Sequence, residues 1–339
     1  MERKYTYVLS DTHIGKTCRD NLRTLLGYLE WVAGPKANAR KLILLGDIFD
    51  EWICGLSASI SDNAETMARF REDGDVTIAA LQQCEKRGVK IVYVLGNHDA
   101  RIGIRWPILK RWIVGEKYEE EDCVFLHGHQ FDVFNSTRFA PVTKESGDGA
   151  YPLGYYIARA ARDTNVANGK GAFISKLLKG LDGVTGIAVD LVMDGERHDK
   201  LIRTIFGFLG QSPERKIAID TSTKEMTTIE KVIRAYSPMF NTASKTLGAY
   251  HEMLMAAGGN LLPLVSKFCG TYGTVVAGHI HHPGHHRVKR PDGVPSKSGG
   301  KRMDFYSTGS WRKDGSIVGL RIGTSVEFWK LSQTKGMML

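Results

Sequence analysis

The chain has 339 residues, 42% of them hydrophobic and 24% charged, an ordinary globular composition with length for one large domain or two small ones. It carries a formal net charge of +9, contains no apolar run near the ~20 residues of a membrane span, and is expected to enter its first strand by Tyr5, which leaves no room for a signal peptide. Five scattered cysteines without a Cys-x-x-Cys pair speak against a disulfide framework or a structural zinc site, so free thiols and a cytoplasmic location are expected.

In chain order, Tyr5–Leu9 reads as a short buried strand that ends in Ser10-Asp11-Thr12-His13. Asp20 caps a helix whose Leu22, Leu25, Leu26 and Leu29 recur at helical spacing, and Gly34-Pro35 stops it. Lys41–Leu45 is the next strand, followed by Gly46-Asp47-Ile48-Phe49-Asp50, which makes the opening a right-handed βαβ unit. Ala64–Arg87 reads as mainly helical, with a break near Gly74. Lys90–Leu95 is a strand that stops at Gly96 and presents Asn97, His98 and Asp99. Ile102–Val114 is amphipathic, the acidic run Glu116–Asp122 reads as an exposed loop, and Cys123–Leu126 is a strand followed by His127-Gly128-His129.

Between Asp132 and about Cys269 the pattern changes. Tyr151–Arg162, Ala172–Met193, Lys200–Leu209 and Ile229–Ala256 read as helices with Gly- and Asn-rich joints such as Asn165–Gly171. Residues 133–270 are thus expected to be a helical insertion, whose Phe173, Ile174, Leu177, Leu178 and Leu181 either line an acyl pocket or form its own core. Thr274–Ala277 resumes the strand pattern and ends in Gly278-His279-Ile280-His281. Arg302–Ser307, Ser316–Ile322 and Ser325–Lys330 then read as strands of a second sheet. Charge is uneven: residues 1–132 carry a net −2 and residues 283–339 a net +7, mainly in Arg287–Arg312. That basic rim either draws an anionic substrate toward the site or is a solvated surface.

One polar residue after a strand is usually a turn residue or a helix cap. Five short apolar strands that each end in Asp, Asn or His form a ligand set. Asp-x-His and His-x-His put both side chains on one side of an extended strand end, because strand side chains alternate with period two. Mixed imidazole and carboxylate donors suit Mn, Fe, Zn or similar divalent ions. His98 exchanges a proton near neutral pH, and the neighbouring Asp99 is the candidate for holding its imidazole in one tautomer.

Asp11-x-His13, Gly46-Asp47-x-x-Asp50, Gly96-Asn97-His98-Asp99, His127-Gly128 and Gly278-His279-x-His281 resemble, in order and spacing, the five blocks of the calcineurin-like metallophosphoesterases. The resemblance covers about residues 5–132 and 271–330. It implies an α/β fold, a four-layer α/β/β/α sandwich of two mixed sheets formed by residues 1–132 and 271–339, with the insertion as a lid or substrate-selecting cap or else a structural or oligomerisation appendage. By block correspondence it implies a first metal held by Asp11, His13, Asp47 and His281, and a second by Asn97, His127 and His279, with Asp47 bridging. His98, held by Asp99, would protonate the leaving oxygen, Asp50 would support the site, and Arg101 and Arg105 are candidates for phosphate contacts. His129 is read as a supporting group or a polar turn residue, and His198, His251, His282, His285 and His286 are left outside the ligand set.

Within that superfamily, Gly46–Trp52 looks like the matching stretch of the UDP-2,3-diacylglucosamine pyrophosphohydrolases, and Tyr306–Trp311 is similar to a loop of that branch. Two positions depart from it: His98 stands where those enzymes usually carry Arg, and His129 where they tend to carry Asp. The implied cofactors are two divalent ions, Mn²⁺ first, with Fe, Zn, Mg or Ni as alternatives. The implied activity is hydrolysis of a phosphodiester or pyrophosphate bond in an anionic substrate, a nucleotide-linked lipid within that branch, by metal-activated hydroxide. A nuclease or cyclic-nucleotide phosphodiesterase is the alternative, although no nucleic-acid-binding motif supports it. A protein phosphatase and a non-catalytic, metal-poor scaffold rank below both.

Overall fold

The computed structural model describes residues 3–16, 19–56, 58, 63–132, 134–136, 151–163, 197–219, 225–243, 262–290, 292–294, 297, 299–311 and 317–331. The elements in chain order are β1 (Tyr5–Leu9), α1 (Arg19–Ala33), β2 (Ala39–Leu45), α2 (Ala64–Lys86), β3 (Lys90–Val94), α3 (Ile102–Arg105), β4 (Ile113–Gly115), β5 (Lys117–Glu120) and β6 (Cys123–Leu126). They continue with α4 (Leu153–Asp163), α5 (Arg197–Phe208), β7 (Lys216–Ala218), β8 (Met226–Thr228), α6 (Ile229–Ala243), α7 (Leu262–Cys269), β9 (Thr274–Ala277), β10 (Pro283–Lys289), β11 (Arg302–Thr308), β12 (Ile317–Ile322) and β13 (Val326–Leu331). The chain divides into two compact units, one of Met1–Glu51, Ala68–Gly128 and Val265–Leu339, the other of Trp52–Met67 and His129–Leu264. The helical unit therefore takes in Trp52–Met67, a stretch that the sequence assigned to the first domain.

The first unit holds two mixed sheets, in strand order β13-β12-β1-β2-β3-β4 and β10-β11-β9-β6-β5. Strands β1, β2 and β3 are parallel neighbours, as are β6 and β9. Period-two alternation sends Val8, Ile43, Leu45, Val92 and Val94 of the first sheet into one buried cluster with Phe125 and Val276 of the second. Each such aliphatic side chain contributes ~1.5–3 kcal/mol by leaving water. The alternate positions face the helix layer: the Tyr7 ring meets Trp31 of α1 edge-on at 5.3 Å. This is the expected mixed α/β class with two packed sheets.

Several local expectations change. Helix α2 runs unbroken through Gly74, where a Cβ would lie 2.5 Å from Cη2 of Trp106. The glycine makes room for the indole, which packs between Phe49 and Phe70 at 5.2 Å from each ring. The amphipathic stretch after Asp99 breaks into α3, a 3-10 turn at Pro107–Arg111 and β4. Pro107 explains the break, since it has no N–H to donate and pushes Trp106 out of helical geometry, to φ −123 and ψ 88. Within the acidic run, β5 pairs antiparallel with β6 across a turn at Glu121, φ 53. Its Tyr118 lies 5.9 Å from the Phe125 ring, and Lys41 donates both to Tyr118 Oη, at 2.8 Å, and to Glu120.

The C-terminal strands do not share one sheet. Strand β11 joins β9 in the second sheet, whereas β12 pairs antiparallel with β1 and carries β13 onto the edge of the first. Leu320, opposite Val8, completes the inter-sheet cluster, which a slip to the other sheet would undo. Strand β10 is an edge strand whose exposed His285, His286, Arg287 and Lys289 hid it from the hydrophobic pattern.

The second unit packs α4, α5, α6 and the β7–β8 hairpin around Trp52, Leu56, Tyr155, Phe206, Ile233 and Tyr236. Buried Arg159 ties the loop after Trp52 to α4. Its guanidinium donates to the carbonyls of Cys54 at 3.2 Å, Gly55 at 2.7 Å, Ala58 at 3.0 Å and Ala218 at 2.9 Å, and to Tyr155 Oη at 2.6 Å. All five N–H groups are thereby satisfied by neutral partners. The expected helix Ala172–Met193, residues 244–256, and with them Phe173, Ile174, Leu177, Leu178, Leu181 and His251, lie outside the described residues, as does His198's side chain. Among the described residues no helix is long and apolar enough to cross a membrane, and Cys54, Cys84, Cys123 and Cys269 are free thiols.

Candidate metal centre

The polar clusters sit at the C-terminal ends of parallel strands, where open α/β sheets present side chains to a crevice. Strand β1 delivers Asp11 and His13, β2 delivers Asp47 and Asp50, β3 delivers Asn97 and His98, β6 delivers His127, and β9 delivers His279 and His281. Amide bonds zip the first two loops together, His13 N to Asp47 O at 2.9 Å and Ile14 N to Ile48 O at 2.8 Å.

Asp11, His13, Asp47, His279 and His281 adopt φ of 52, 46, 52, 69 and 58. A positive φ is uncommon for a residue with a Cβ, and five of the seven cases among the described non-glycine residues fall on these side chains. Strain of this kind persists only where the surroundings over-determine it. Here it turns each chain sharply at the strand end so that the side chain faces the cluster. Gly96 serves the same packing: a Cβ there would lie 2.5 Å from Asp47 N.

Three overlapping groups bring their donor atoms within 4.8 Å of one another: Asp11, His13 and His281; His13, Asp47 and His98; and Asp47, His127 and His279. His281 Nε2 is 3.1 Å from Asp11 Oδ1 and 3.3 Å from His13 Nε2. His127 Nε2 is 3.2 Å from Asp47 Oδ2 and 4.0 Å from Asp11 Oδ1. Asp47 belongs to two of the groups, and the group of His13, Asp47 and His98 links the other two, which share no residue. Asn97 is buried between Gly96, packed on Asp47, and His98, whose N–H donates to Asp47 Oδ1 at 2.8 Å. Asp11 Oδ1 is buried without a hydrogen bond of acceptable geometry. Imidazole and carboxylate donors converging this closely, with a buried oxygen left over, fit divalent cations.

The electrostatics agree. Burial alone would raise the pKa of Asp11, yet the imidazoles of His127 and His281 outweigh it and bring it to about 2. Burial is likewise outweighed at Asp47 by His127 and His98, and its pKa falls well below the carboxylate range. Burial opposes charge on His127, but Asp47 and Asp11 hold its proton and lift the pKa to about 10. Burial dominates at His13 and takes its pKa down to about 4.

The expected support of His98 by Asp99 is corrected. His98 Nδ1 lies 2.8 Å from Asp50 Oδ1, while the other Asp50 oxygen lies 3.5 Å from His13 Nδ1. Burial would raise the pKa of Asp50, but His98, His13 and Lys16 keep it well below the usual range. Asp99 points the other way and accepts from Ile48 N at 2.8 Å, Gly96 N at 2.7 Å and Tyr93 Oη at 2.6 Å. It braces the backbone of two metal-block loops. Burial, followed by the charge of Asp47, lifts its pKa to about 6. Both oxygens of Asp99 are thus engaged by these three donors, while His98 meets Asp50.

Arg105 pairs with Glu51 at 3.4 Å and lies over the Phe70 ring at 5.5 Å. Arg101 opens α3. His129 is buried at the start of the 3-10 turn His129–Phe131. His285 stacks on Tyr306 with ring centres 4.3 Å apart and bonds Asp304 Oδ1 at 2.8 Å, apart from the three groups.

Overlapping carboxylate–imidazole groups at the strand ends of two mixed sheets form the donor set of a divalent-metal centre. The family model of the calcineurin-like phosphoesterases matches residues 5–283, and the chain belongs to that family, whose members are dinuclear. No curated protein matches the sequence. A solved dimetal phosphatase from Danio rerio aligns over 99% of this chain and 98% of its own, at 11% identity and a TM-score of 0.41, a likeness too low to carry anything further.

Proposed function

We propose that this metallophosphoesterase cleaves a phosphodiester or pyrophosphate bond, with Asp11, His13, Asp47 and His281 holding one divalent ion and Asp47, Asn97, His127 and His279 the other. The observation that carries the reading is the run of overlapping donor groups, in which His13, Asp47 and His98 link Asp11, His13 and His281 to Asp47, His127 and His279. Mn²⁺ is the ion proposed, because it accepts both the imidazole donors, which disfavour Mg²⁺, and the carboxylate and amide oxygens of the set. When bound, the two ions supply charge to the phosphoryl oxygens and lower the pKa of the attacking water.

The remaining work falls to the protein. Asp50 accepts from His98 Nδ1 and so leaves Nε2 to face the substrate. His98 protonates the leaving oxygen and stabilises negative charge as it develops. Asp99 keeps the loops after β2 and β3 in register beneath these groups. Residues 133–270 act as the substrate-selecting cap. A nucleotide-linked lipid is the finer reading of the substrate, resting on the likeness of Gly46–Trp52 and Tyr306–Trp311 to the UDP-2,3-diacylglucosamine pyrophosphohydrolases.

The test is a panel of aryl phosphomonoester, aryl phosphodiester, cyclic nucleotide and UDP-sugar lipid, run with wild type and His98→Ala at saturating Mn²⁺. Diester or pyrophosphate turnover should exceed monoester turnover. His98→Ala should lose ~10²–10⁴ in kcat, less with a nitrophenolate leaving group that needs little protonation. Equal loss on good and poor leaving groups would remove the acid role, and preference for the monoester would remove the substrate class.

A further inference from the structure

Asp11 offers two oxygens, and only one faces the other donors. Oδ1 points at the imidazoles of His281 and His127, 3.1 and 4.0 Å away. Oδ2 faces the protein, where it meets the hydroxyl of Ser10 and the amide of His279 at 3.1 Å. Ser10 Oγ in turn lies 2.5 Å from Thr308 Oγ1, and Thr308 Oγ1 is 3.2 Å from the carbonyl of Ala277. Ser10 and Thr308 are fully buried.

Proton counting fixes the direction of this chain. Each hydroxyl has one proton. The two closest contacts are Ser10 to Asp11 and Ser10 to Thr308. Ser10 Oγ donates to Asp11 Oδ2, because a carboxylate that serves as a metal ligand carries no proton and can only accept. Ser10 then has no proton left for Thr308, and Thr308 must donate to Ser10. The alternative, Thr308 donating to Ala277, leaves two oxygens 2.5 Å apart with no proton between them.

We propose that Thr308 and Ser10 are positioning residues, a hydrogen-bond relay in series that pins Oδ2 of Asp11 and thereby presents Oδ1 to the metal. The inference rests on the reading of Asp11 as a metal ligand. The relay also joins the two sheets at the centre. Ser10 follows β1 in the first sheet, and Thr308 ends β11 in the second. Asp11 and His13 come from one sheet and His279 and His281 from the other, so their donor atoms meet only while the sheets stay in register. Successive hydroxyl donations polarise one another, which strengthens the bond that reaches the carboxylate.

The experiment measures Mn²⁺ affinity by equilibrium dialysis of the full chain, with Ser10→Ala, Thr308→Val, Thr308→Ser, the Ser10→Ala/Thr308→Val double variant and Asp11→Ala. Circular dichroism confirms folding. Ser10→Ala should weaken binding of one ion ~10–100-fold, the usual effect of losing a partner that holds a ligand. Thr308→Val, which keeps shape and removes the hydroxyl, should weaken it less, and Thr308→Ser should restore wild-type affinity. Because the bonds act in series, the double variant should bind no worse than Ser10→Ala alone. Wild-type affinity in a folded Ser10→Ala, additive losses in the double variant, or failure of Thr308→Ser to restore binding would each overturn the relay. Asp11→Ala separates the two levels of the argument. If it keeps both ions, the ligand reading itself falls. If it loses an ion while Ser10→Ala does not weaken binding, only the relay falls.

Discussion

Asp50→Asn tests the assignment of Asp50, rather than Asp99, as the partner of His98. The carboxylate is buried and serves two imidazoles with two oxygens, His98 Nδ1 at 2.8 Å and His13 Nδ1 at 3.5 Å. Asparagine keeps the volume but has one oxygen, so one imidazole must face an amide NH₂. A hydrogen bond to a charged group contributes ~1.5–3 kcal/mol. At ~1.4 kcal/mol per factor of ten, its loss lowers kcat ~10–150-fold on a poor leaving group at saturating Mn²⁺. Mn²⁺ affinity should fall less, because Asp50 Oδ2 reaches His13 only as an ion-pair contact at 3.5 Å. Asp99→Asn should behave differently. Its carboxylate accepts three hydrogen bonds, and an asparagine turned to keep Ile48 N and Tyr93 Oη leaves Gly96 N facing NH₂. That costs about 1–3 kcal/mol of stability for one unsatisfied buried donor, with kcat of the folded protein near wild type. Steady-state kinetics on nitrophenyl and alkyl esters beside urea unfolding measures both. Wild-type kcat in Asp50→Asn together with a loss in Asp99→Asn would refute the assignment.

Other outcomes follow from the same geometry. Chelation should abolish hydrolysis, and Mn²⁺ should restore it at least as well as Mg²⁺; full turnover by a verified metal-free sample would contradict the mechanism. Metal ligands must be deprotonated, and Asp47 and Asp11 hold the His127 proton up to a pKa of about 10, so metal uptake at pH 7 should release protons. The sign follows: affinity should fall as pH falls from 8 to 6, and calorimetry in buffers of different ionisation enthalpy should detect the release, whereas buffer-independent heats would exclude it. Gly96→Ala should lose metal without losing the fold, because its Cβ would lie 2.5 Å from Asp47 N; normal metal content would show that the loop gives way.

The clustering of Asp11, His13, Asp47, His127, His279 and His281 was legible because each follows a short apolar strand, and strand ends are where polar residues break the pattern most sharply. The parallel core β1, β2, β3, β6 and β9 was legible for the same reason. Partner choice was not. Nothing local in Ser316–Ile322 says which sheet edge it joins, since Leu320 is identified only by the Val8 opposite it. Charged edges hid β10 and β5, whose burial depends on neighbours distant in sequence, such as Lys41 for Glu120. The Asp50–His98 pair spans two loops, so adjacency favoured Asp99 where the fold favours Asp50. Ser10 and Thr308 are almost 300 residues apart, and only the packed sheets bring them together.

In the proposed centre, Asp47 bridges two ions. Metal equivalents per chain, measured by elemental analysis after dialysis against Mn²⁺, test it most directly in wild type, Asp47→Ala and His98→Ala. Wild type should hold two ions, His98→Ala two, and a folded Asp47→Ala at most one. Two ions retained by Asp47→Ala, or one or none bound by wild type at saturating Mn²⁺, would contradict it.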